Sequence, residues 1–521
     1  MKTRYIVLLA VAAVLAGSSC SKLLDIPRKG VLEKEAYYEN NDNILAATAS
    51  MYAQQRSGEF NSLFCKNMLT DDLYCGGAEY NDNPDLQSLN DFTFHTQEEY
   101  IENMFKNYYQ VIYKANVILD NVKPEQGDVA KQAVAEALVF RAFSYFELIS
   151  LWGNPPIVDH QLSPSEYNVP NGTTEELWKM VETDLTTAID SKALSKKANL
   201  NDKTVWRVTE HFAKALLGKS YLWMATELND NSYYAKAASI LDEVIDSGLY
   251  DLFTEAPFGD MLFPENDMNC ESLFESVRVN DTEMMGENIN LDPIMYAWRS
   301  SGGEMTIPAD VYMTGGYGFC VPTKDLYDSF VAAGDDYRRS QTLKTYDEII
   351  AMGVVINLPV VSAGYWLWKK RVPETEKYYG GWASIRNARW MRFAEVLLLA
   401  AEAHFMNGDP QGKAVTYVNR VRTRAQLPTL GSITLDDIKR EKRHEFVAES
   451  LRFQDLLRWG DAYDRLKDNG HYYPECPPNG IVKMVETGNA SYGFKKGKHE
   501  HLPYPYTETS LNPNVKQNIG Y

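Results

Sequence analysis

One cysteine near the start of the chain stands where covalent lipid attachment can occur. Two basic residues in the first four positions precede an almost wholly apolar run, Ile6 to Ala16, and Cys20 follows it among small residues. The run is shorter than the roughly 20 apolar residues of a membrane span, and this order of residues is typical of a secretory signal. We therefore predict a lipoprotein signal peptide over residues 1–19 and a lipidated tether over residues 20–40, with the lipid on Cys20. The alternative is an ordinary signal peptide in which the cysteine occurs by chance.

A cluster of carboxylates and guanidinium groups near the C-terminus has the residue types for acid–base catalysis. Glu445 and Glu449 lie four residues apart on one predicted helix, and Arg443, Arg452 and Arg458 are close in sequence. We expect these arginines to bridge the two glutamates between packed helices, which is a structural role. The sequence contains no GxSxG, HExxH or Walker motif, and Asp–Asp pairs in turns are too common to indicate a glycosidase. The sequence therefore predicts a protein that is not an enzyme.

The histidines and cysteines give no readable cofactor site. His499 and His501 lie in a KHEH segment that we interpret as a solvated polar turn. No EF-hand loop is present, although loop oxygens can bind Ca²⁺ without a readable motif. Cys65 and Cys75 are spaced for a disulfide across a loop, but free buried cysteines fit equally well. We predict no cofactor and leave a structural calcium ion and the Cys65–Cys75 bond open.

Charge and composition limit the classes of partner. The 521-residue chain carries a formal net charge of −19, whereas proteins that bind nucleic acids need clusters of Lys and Arg for the phosphates. No apolar stretch after residue 20 is long enough to cross a membrane. The hydrophobic content of 45%, with 12% aromatic residues, is ample for a folded core. We therefore predict a folded protein without a nucleic-acid partner.

The elements that must position these residues are mostly helices. Apolar residues at steps of three and four from Ile101 predict a long helix, with Thr96 and Glu99 as its capping box. Thr173 and Glu176 predict a second capping box. Further helices are predicted over residues 129–152, 208–228, 233–247, 391–407, 411–425 and 434–457. Their short connections indicate antiparallel pairs, which we interpret as degenerate tetratricopeptide-type repeats.

The middle of the chain has a different character. Gly, Pro and aromatic residues become frequent between about 255 and 389, and the helical periodicity fades there. A long irregular stretch in a compact protein is commonly functional, and its aromatic residues argue against disorder. The alternation in YWLWKK predicts a short strand. We predict a mostly α fold in one domain, residues 41–521, with a helical repeat frame over 41–254 and 390–460, a loop-rich insert over 255–389 and a C-terminal extension over 461–521.

Several motifs resemble those of the SusD/RagB family of outer-membrane nutrient-binding lipoproteins. The stretch EKRHEFVAESLRFQDLLRWG, residues 441–460, is similar to the family's C-terminal signature, with Ser450 where the family usually has Gly. Other family segments are matched in order by EALVFRAFSYFELISLWGNPPIV, RWMRFAEVLLLAAEAHFMNGD and the ending LPYPYTETSLNPNVKQNIGY. The resemblance spans nearly the whole mature chain and implies the family's SusD-like fold.

The resemblance also implies a function, which composition and spacing do not. It implies a lipid-anchored protein on the outer face of the outer membrane that captures oligosaccharides and passes them to a TonB-dependent, SusC-like transporter. Two alternatives stay open: a lid of the same type that binds peptides, and a helical scaffold that binds no nutrient. A glycan lid predicts exposed aromatic rings in the insert, a peptide lid predicts a wide cleft with charged walls, and a scaffold predicts that the rings are buried.

In starch-binding relatives the site uses loops after the first helix and from the insert, which implies two corresponding stretches here. They are residues 68–92 and 295–319. Aromatic rings match the C–H faces of sugars, and polar groups match the hydroxyls. The implied ligand-binding residues are Asp72, Tyr74, Tyr80, Asn90, Tyr296, Trp298, Arg299, Tyr312 and Tyr317. Trp298 beside Arg299 is the leading candidate, and core packing is the competing interpretation for every aromatic residue.

Overall fold

The computed structural model describes most of the chain: residues 37–278, 290–308, 315–372, 384–409 and 411–521. The signal segment, Cys20 and Tyr312 lie outside the described residues. The predicted lipid attachment and the predicted role of Tyr312 therefore stay predictions.

The N-terminal half of the frame consists of helices that pack on their neighbours in chain order. Its elements are α1 (Asn41–Ser57), β1 (Leu73–Gly76), α2 (Pro84–Asn90), α3 (Glu99–Asn121), α4 (Asp128–Trp152), α5 (Thr174–Asp190), α6 (Glu210–Glu227) and α7 (Ser232–Asp246). The capping box of Thr173 and Glu176 is confirmed at the start of α5. The box predicted at Thr96 is wrong, because α3 begins at Glu99 and its N-cap, Glu98, makes no side-chain capping bond.

The insert is built from short helices and short strand pairs. Its helices are α8 (Asp292–Tyr296), α9 (Lys324–Ala332), α10 (Asp336–Thr342) and α11 (Tyr346–Ala351). Its strands are β2 (Ser272–Ser276), β3 (Met305–Thr306), β4 (Phe319–Pro322), β5 (Leu343–Thr345), β6 (Val355–Ile356), β7 (Val360–Val361) and β8 (Tyr365–Leu367), followed by β9 (Ala388–Arg392). The strand predicted in YWLWKK is confirmed as β8. Antiparallel pairing of β4 with β1 joins the insert to the loop that follows α1.

The C-terminal part completes the frame and adds a hairpin. Its elements are α12 (Phe393–Met406), α13 (Lys413–Arg424), α14 (Leu435–Glu445), α15 (Arg452–Trp459), α16 (Ala462–Leu466), β10 (Tyr472–Cys476), β11 (Lys483–Glu486) and α17 (Tyr506–Leu511). The single helix predicted over 434–457 is wrong, because Ala448 and Ser450 have φ of 58° and 68° and break it between α14 and α15. β10 pairs with β11 and with β7 of the insert.

One large hydrophobic core runs through the frame, from Tyr38 to Val515. α7 packs on α12, which joins the two halves of the frame across the insert. A smaller core lies within the insert and contains Trp298 and Trp366. The prediction of a mostly α fold is confirmed. Within the part of the chain that the structure describes, no helix is long and apolar enough to cross a membrane.

Candidate ligand-binding site

Three segments that are distant in sequence meet at one open cleft. They are the loop around β1, the β4–α9 corner of the insert, and the C-terminal extension from α16 to β11. The cleft has a volume of about 390 Å³. It is lined by Thr70, Asp71, Leu73, Tyr74, Asn90, Thr323, Lys324, Asp325, Asp464, Arg465, Asp468, Asn469, Gly470, Tyr472 and Met484. The cleft combines aromatic, charged and amide side chains.

Two tyrosines give the cleft its aromatic surfaces. Tyr74 is half-buried on β1, where it pairs with Val321. Burial raises the pKa of its phenol, so the hydroxyl stays protonated at neutral pH and is able to donate a hydrogen bond. Tyr472 begins β10 and is 47% exposed. A ring with one accessible face and a polar tip suits a ligand that has both apolar and hydroxyl-bearing surfaces.

The floor of the cleft is held by buried ion pairs. Arg452 donates two hydrogen bonds to Asp71, at 2.8 and 2.9 Å. Arg465 adds a third bond to Asp71, at 2.7 Å, from the cleft side. Burial alone would raise the pKa of Asp71, but Arg452 and its neighbours hold that pKa far below its usual range. Asp71 is therefore ionised and already paired, which makes the floor a fixed surface.

Asp72 lies beneath this floor. It is 3% exposed and accepts a hydrogen bond from Arg443 Nε at 2.6 Å. A buried carboxylate with a guanidinium partner is not open to a ligand. The structure therefore gives Asp72 a supporting position, in place of the ligand contact implied by the resemblance.

A second aromatic surface adjoins the cleft on the other side of β10. Tyr80 stacks on Tyr473 with ring centroids 4.7 Å apart, and its hydroxyl donates to Asp91 at 2.5 Å. Since Tyr472 and Tyr473 are consecutive strand residues, they point to opposite faces of β10. Only Tyr472 lines the cleft, and Tyr80 belongs to the neighbouring surface.

Arg299 and Tyr317 lie at an edge of the insert. Arg299 Nε donates to Glu304 at 2.9 Å, and its Nη1 is 3.7 Å from Asp82. Tyr317 is 39% exposed. The two carboxylates more than offset the single charge of Arg299, so its remaining polar capacity is better suited to a neutral polar ligand than to an anion. The ligand contacts of Tyr74, Tyr80, Arg299 and Tyr317 stay predictions.

Tyr296, Trp298 and Asn90 are buried, and the expectation of exposed binding groups is corrected for all three. Trp298 is 4% exposed, and its indole N–H donates to the Leu367 carbonyl at 2.8 Å. Tyr296 is 3% exposed, and its hydroxyl accepts from Asn67 at 2.8 Å. Asn90 touches the cleft from beneath, but its side-chain amide donates to two backbone carbonyls at 2.9 and 3.0 Å. The buried rings of Tyr296 and Trp298 therefore do not meet the expectation of exposed aromatic rings in the insert.

The residues that sequence reasoning missed come from the C-terminal extension. Arg465, Asn469 and Tyr472 line the cleft, although the sequence analysis treated 461–521 only as an extension. The Asn-Gly turn followed by two tyrosines, in NGHYYP, is the signal that marks this segment. Asp325 of the insert was also missed, and its carboxylate is 59% exposed.

The glutamates of the C-terminal signature have a structural environment. Glu445 pairs with Arg392, Arg338 and Arg424, and Glu449 pairs with Lys369 and Arg392. Burial would raise the pKa of Glu445, but the surrounding cations hold it well below its usual range. Neither carboxylate faces the cleft. This placement is that of a packed scaffold.

The predicted partners of these glutamates were wrong. Arg443 and Arg452 pair with the aspartates of the cleft floor, and Arg458 pairs with Glu402 of α12. The cations that meet Glu445 and Glu449 come from the insert, β9 and α13, which are distant in sequence. The signature therefore joins the frame, the insert and the cleft floor.

His499 of the KHEH segment is buried and His501 is half-buried, so the interpretation of the segment as a solvated turn is wrong for His499. His499 is 0% exposed, and its ring packs among Phe92, Phe94 and Phe494. Burial lowers its pKa to about 3, so the ring is neutral. Among the described residues, no group of three His, Cys, Asp or Glu side chains is arranged to hold a metal ion.

Comparisons with known proteins identify relatives of this chain. A family model described as "SusD family" matches residues 357–521, and one described as "Starch-binding associating with outer membrane" matches residues 33–222. A SusD-like protein of Bacteroides ovatus is 25% identical over 88% of this chain and 83% of its own length. SusD-like protein P2 of Formosa agariphila is 26% identical and covers 100% of both chains.

A solved structure agrees with these sequence matches. A laminarin binding SusD-like protein is similar with a TM-score of 0.77 and 25% identity, over 93% of this chain and 100% of that one. The similarity includes the frame and the insert together, since it covers nearly the whole chain. The SusD-like fold implied by the motifs is therefore confirmed, and the chain belongs to the SusD/RagB family.

Proposed function

We propose that this protein captures an oligosaccharide at the cell surface and delivers it to a partner TonB-dependent outer-membrane transporter. The open cleft that contains Tyr74 and Tyr472 beside amide and charged groups carries the proposal. The similar protein that binds laminarin and the family description that names starch binding at the outer membrane support a glycan as the ligand. The work is binding and transfer, with no bond made or broken.

The cleft offers the two kinds of contact that a sugar needs. The ring of Tyr472 provides a flat apolar surface for the C–H face of a pyranose. Asn469 donates to the Thr70 carbonyl at 3.1 Å, which leaves its amide oxygen available to a hydroxyl. At the rim, Asp325 pairs through Oδ2 with Arg443 and Arg465, and its other carboxylate oxygen is available to a hydroxyl. Because the floor is fixed by the Asp71 ion pairs, the cleft is preorganised and little binding energy is lost in ordering it.

Calorimetric titration of the purified chain against a panel of glucan, host and microbial oligosaccharides tests the ligand class. We expect heat with one oligosaccharide class, and at least a tenfold weaker Kd for Tyr472→Ala, because loss of an aromatic stacking surface costs about 1.4 kcal/mol or more. Tyr506→Ala is the matched control, since Tyr506 is 54% exposed and does not line the cleft. Equal loss in both variants, or unchanged binding in Tyr472→Ala, would place the ligand elsewhere.

A peptide is the second candidate ligand, and the charges of the cleft favour it. Asp464 and Asp468 lie beside Lys324 and Arg465 in the lining. Walls of this kind suit the termini and side chains of a peptide. Peptide mixtures belong in the same titration, at low and high salt. Salt-sensitive heat with peptides, and none with any glycan, would replace the glycan proposal. Heat with neither would favour a scaffold.

Lipid anchoring at Cys20 and the transporter partner are the finer parts of the proposal, and motifs alone support them. Two signals in the sequence point the same way: the apolar run that ends at Cys20, and the SusD/RagB signature. Cys20→Ser tests the anchor. We expect the wild-type chain in the membrane fraction with a lipid-sized mass increase on its N-terminal peptide, and the variant without either. An unmodified N-terminal peptide in the wild type would remove the anchor.

A further inference from the structure

Two buried cysteines face each other across the β1–β4 strand pair. Tyr74 pairs with Val321 and Gly76 pairs with Phe319, so the antiparallel register places Cys75 opposite Cys320. Both are free thiols, and they are 2% and 0% exposed. The pairing considered from the sequence, Cys65 with Cys75, could not include Cys320 because that residue is far along the chain.

The hydrogen bonding at Cys75 indicates the closer kind of cross-strand pair. Its backbone N–H donates to Asn90 Oδ1 at 3.2 Å, so this N–H does not bond to β4. At non-hydrogen-bonded antiparallel positions the Cα atoms are about 4.5 Å apart, and disulfides occur at Cα separations of about 4.4–6.8 Å. Cys320 has φ of 60°, an uncommon conformation for a non-glycine residue, which sets this position apart from a plain strand residue.

We propose that Cys75 and Cys320 are a disulfide-forming pair that ties the loop after α1 to the insert. The oxidant is a small-molecule disulfide, RSSR. One cysteine thiolate attacks RSSR and releases RSH, and the second thiolate then attacks the mixed disulfide and releases a second RSH. The two thiols lose two protons and two electrons, and RSSR gains them. This inference is independent of which ligand occupies the cleft.

Burial determines when the bond forms. It raises the pKa of both thiols well above the usual value, so the folded protein holds them as unreactive thiols. Exchange therefore takes place while the chain folds, before the strand pair closes, and the finished bond resists reduction. An outer-membrane protein folds in the oxidising conditions in which disulfides persist.

The bond would fix one corner of the cleft. Leu73 and Tyr74 of β1 line the cleft from the frame side, and Thr323, which follows β4, lines it from the insert side. The backbone N–H of Thr323 also donates to the Asp72 carbonyl at 2.9 Å. A covalent link between the same two strands would hold these two walls of the cleft together.

Cys65 is the competing partner. It is fully buried. Burial is the main cause that raises the pKa of its thiol, and the nearby Cys75 raises it by a smaller amount. Cys75 has the same effect on Cys320, so the three thiols share one neighbourhood. Only Cys320, however, occupies a register position opposite Cys75. The competing bond would close a short loop within the frame and leave the insert untied.

The test refolds the purified chain from guanidinium in a mixture of oxidised and reduced glutathione, with a parallel sample in reductant. We expect the oxidised sample to lose two thiols per chain and to give a peptide that joins Cys75 to Cys320 in a non-reducing mass map. The Cys65→Ser variant should behave in the same way, whereas Cys320→Ser should lose no pair. A map that joins Cys65 to Cys75, or no loss of thiols in the wild type, would overturn the proposal.

A stability measurement gives a second readout that does not depend on the map. The oxidised wild type and Cys65→Ser should unfold at a higher guanidinium concentration than their reduced forms, because the link closes a long loop in the unfolded chain. Cys320→Ser and Cys320→Ala should show equal midpoints under both conditions. If Cys320→Ser does not fold, Cys320→Ala and the non-reducing mass map of the wild type show whether Cys75 and Cys320 form the bond. An equal midpoint in the two wild-type samples contradicts the proposal.

Discussion

We predict that Arg338→Met lowers the free energy of unfolding by about 3 kcal/mol or more. Arg338 is 0% exposed and belongs to α10 of the insert. It donates to Asp335 at 2.7 Å, to Glu441 at 2.6 Å and to Glu445 at 3.3 Å. The two glutamates lie on α14, so this one guanidinium joins the insert to the signature helix.

The magnitude follows from what the substitution leaves behind. Removing one partner of a buried ion pair costs about 3–5 kcal/mol, since the remaining charge stays buried without compensation. Here the carboxylates keep other partners: Glu441 has Arg422, and Glu445 has Arg392 and Arg424. We therefore expect the lower end of the range. Methionine preserves the volume of the side chain, so loss of packing contributes little.

The next residue provides a matched control. Arg339 lies on the same helix and pairs with Glu348, but this pair is partly exposed. Exposed pairs contribute about 0–1 kcal/mol, so Arg339→Met should have a correspondingly small effect. Urea unfolding followed by tryptophan fluorescence measures both variants, since the insert contains Trp298, Trp366 and Trp368. The reasoning is refuted if the two variants lose the same stability.

Two further predictions concern backbone strain and pH. Gly460 follows α15 with φ of 74° and open space around it, so Gly460→Ala should lower the free energy of unfolding by about 1 kcal/mol. Gly431→Ala is the control and should not lower it, since Gly431 also has open space around it but no positive φ. Thermal melting compares the two variants, and equal melting temperatures would contradict the strain argument. Burial lowers the pKa of His499 to about 3, so the unfolded chain binds a proton below about pH 6.5 that the folded chain does not, and stability is lost as the pH falls from there. In the His499→Phe variant, the unfolding free energy should depend less on pH between about 4 and 6 than it does in the wild type. The exposed control His95→Phe should keep the pH dependence of the wild type. An unchanged slope in His499→Phe would refute a neutral buried histidine.

Sequence reasoning was most successful where structure depends on nearby residues. Helices α3 and α5 follow from apolar residues at steps of three and four, and the α5 cap follows from Thr173 and Glu176. It failed at the α14–α15 break, because a helical pattern continues through Ala448 and Ser450 while tertiary packing imposes a positive φ on both. Helix propensity depends on nearby residues, so it does not predict a break that tertiary packing imposes.

The candidate site was predicted only in part, for a related reason. A Trp or Tyr in an irregular segment has the same composition signal whether its ring packs inward, as for Trp298, or outward, as for Tyr472. The loop after the first helix, which the resemblance implied as part of the site, lies at the cleft, since Tyr74 lines it, and its contact with a ligand stays a prediction. The wall from the C-terminal extension was missed, because only the pairing of distant strands brings it there.

The sequence by itself determined the family, the helical frame and the available chemistry, because these depend on residue types and short-range spacing. Only the tertiary structure decided which groups meet. It assigned Arg452 to Asp71 and Arg338 to Glu441, and it set Cys75 opposite Cys320. Such choices are settled by the packing of segments that are far apart in the chain, where burial makes an unpaired charge or polar group costly.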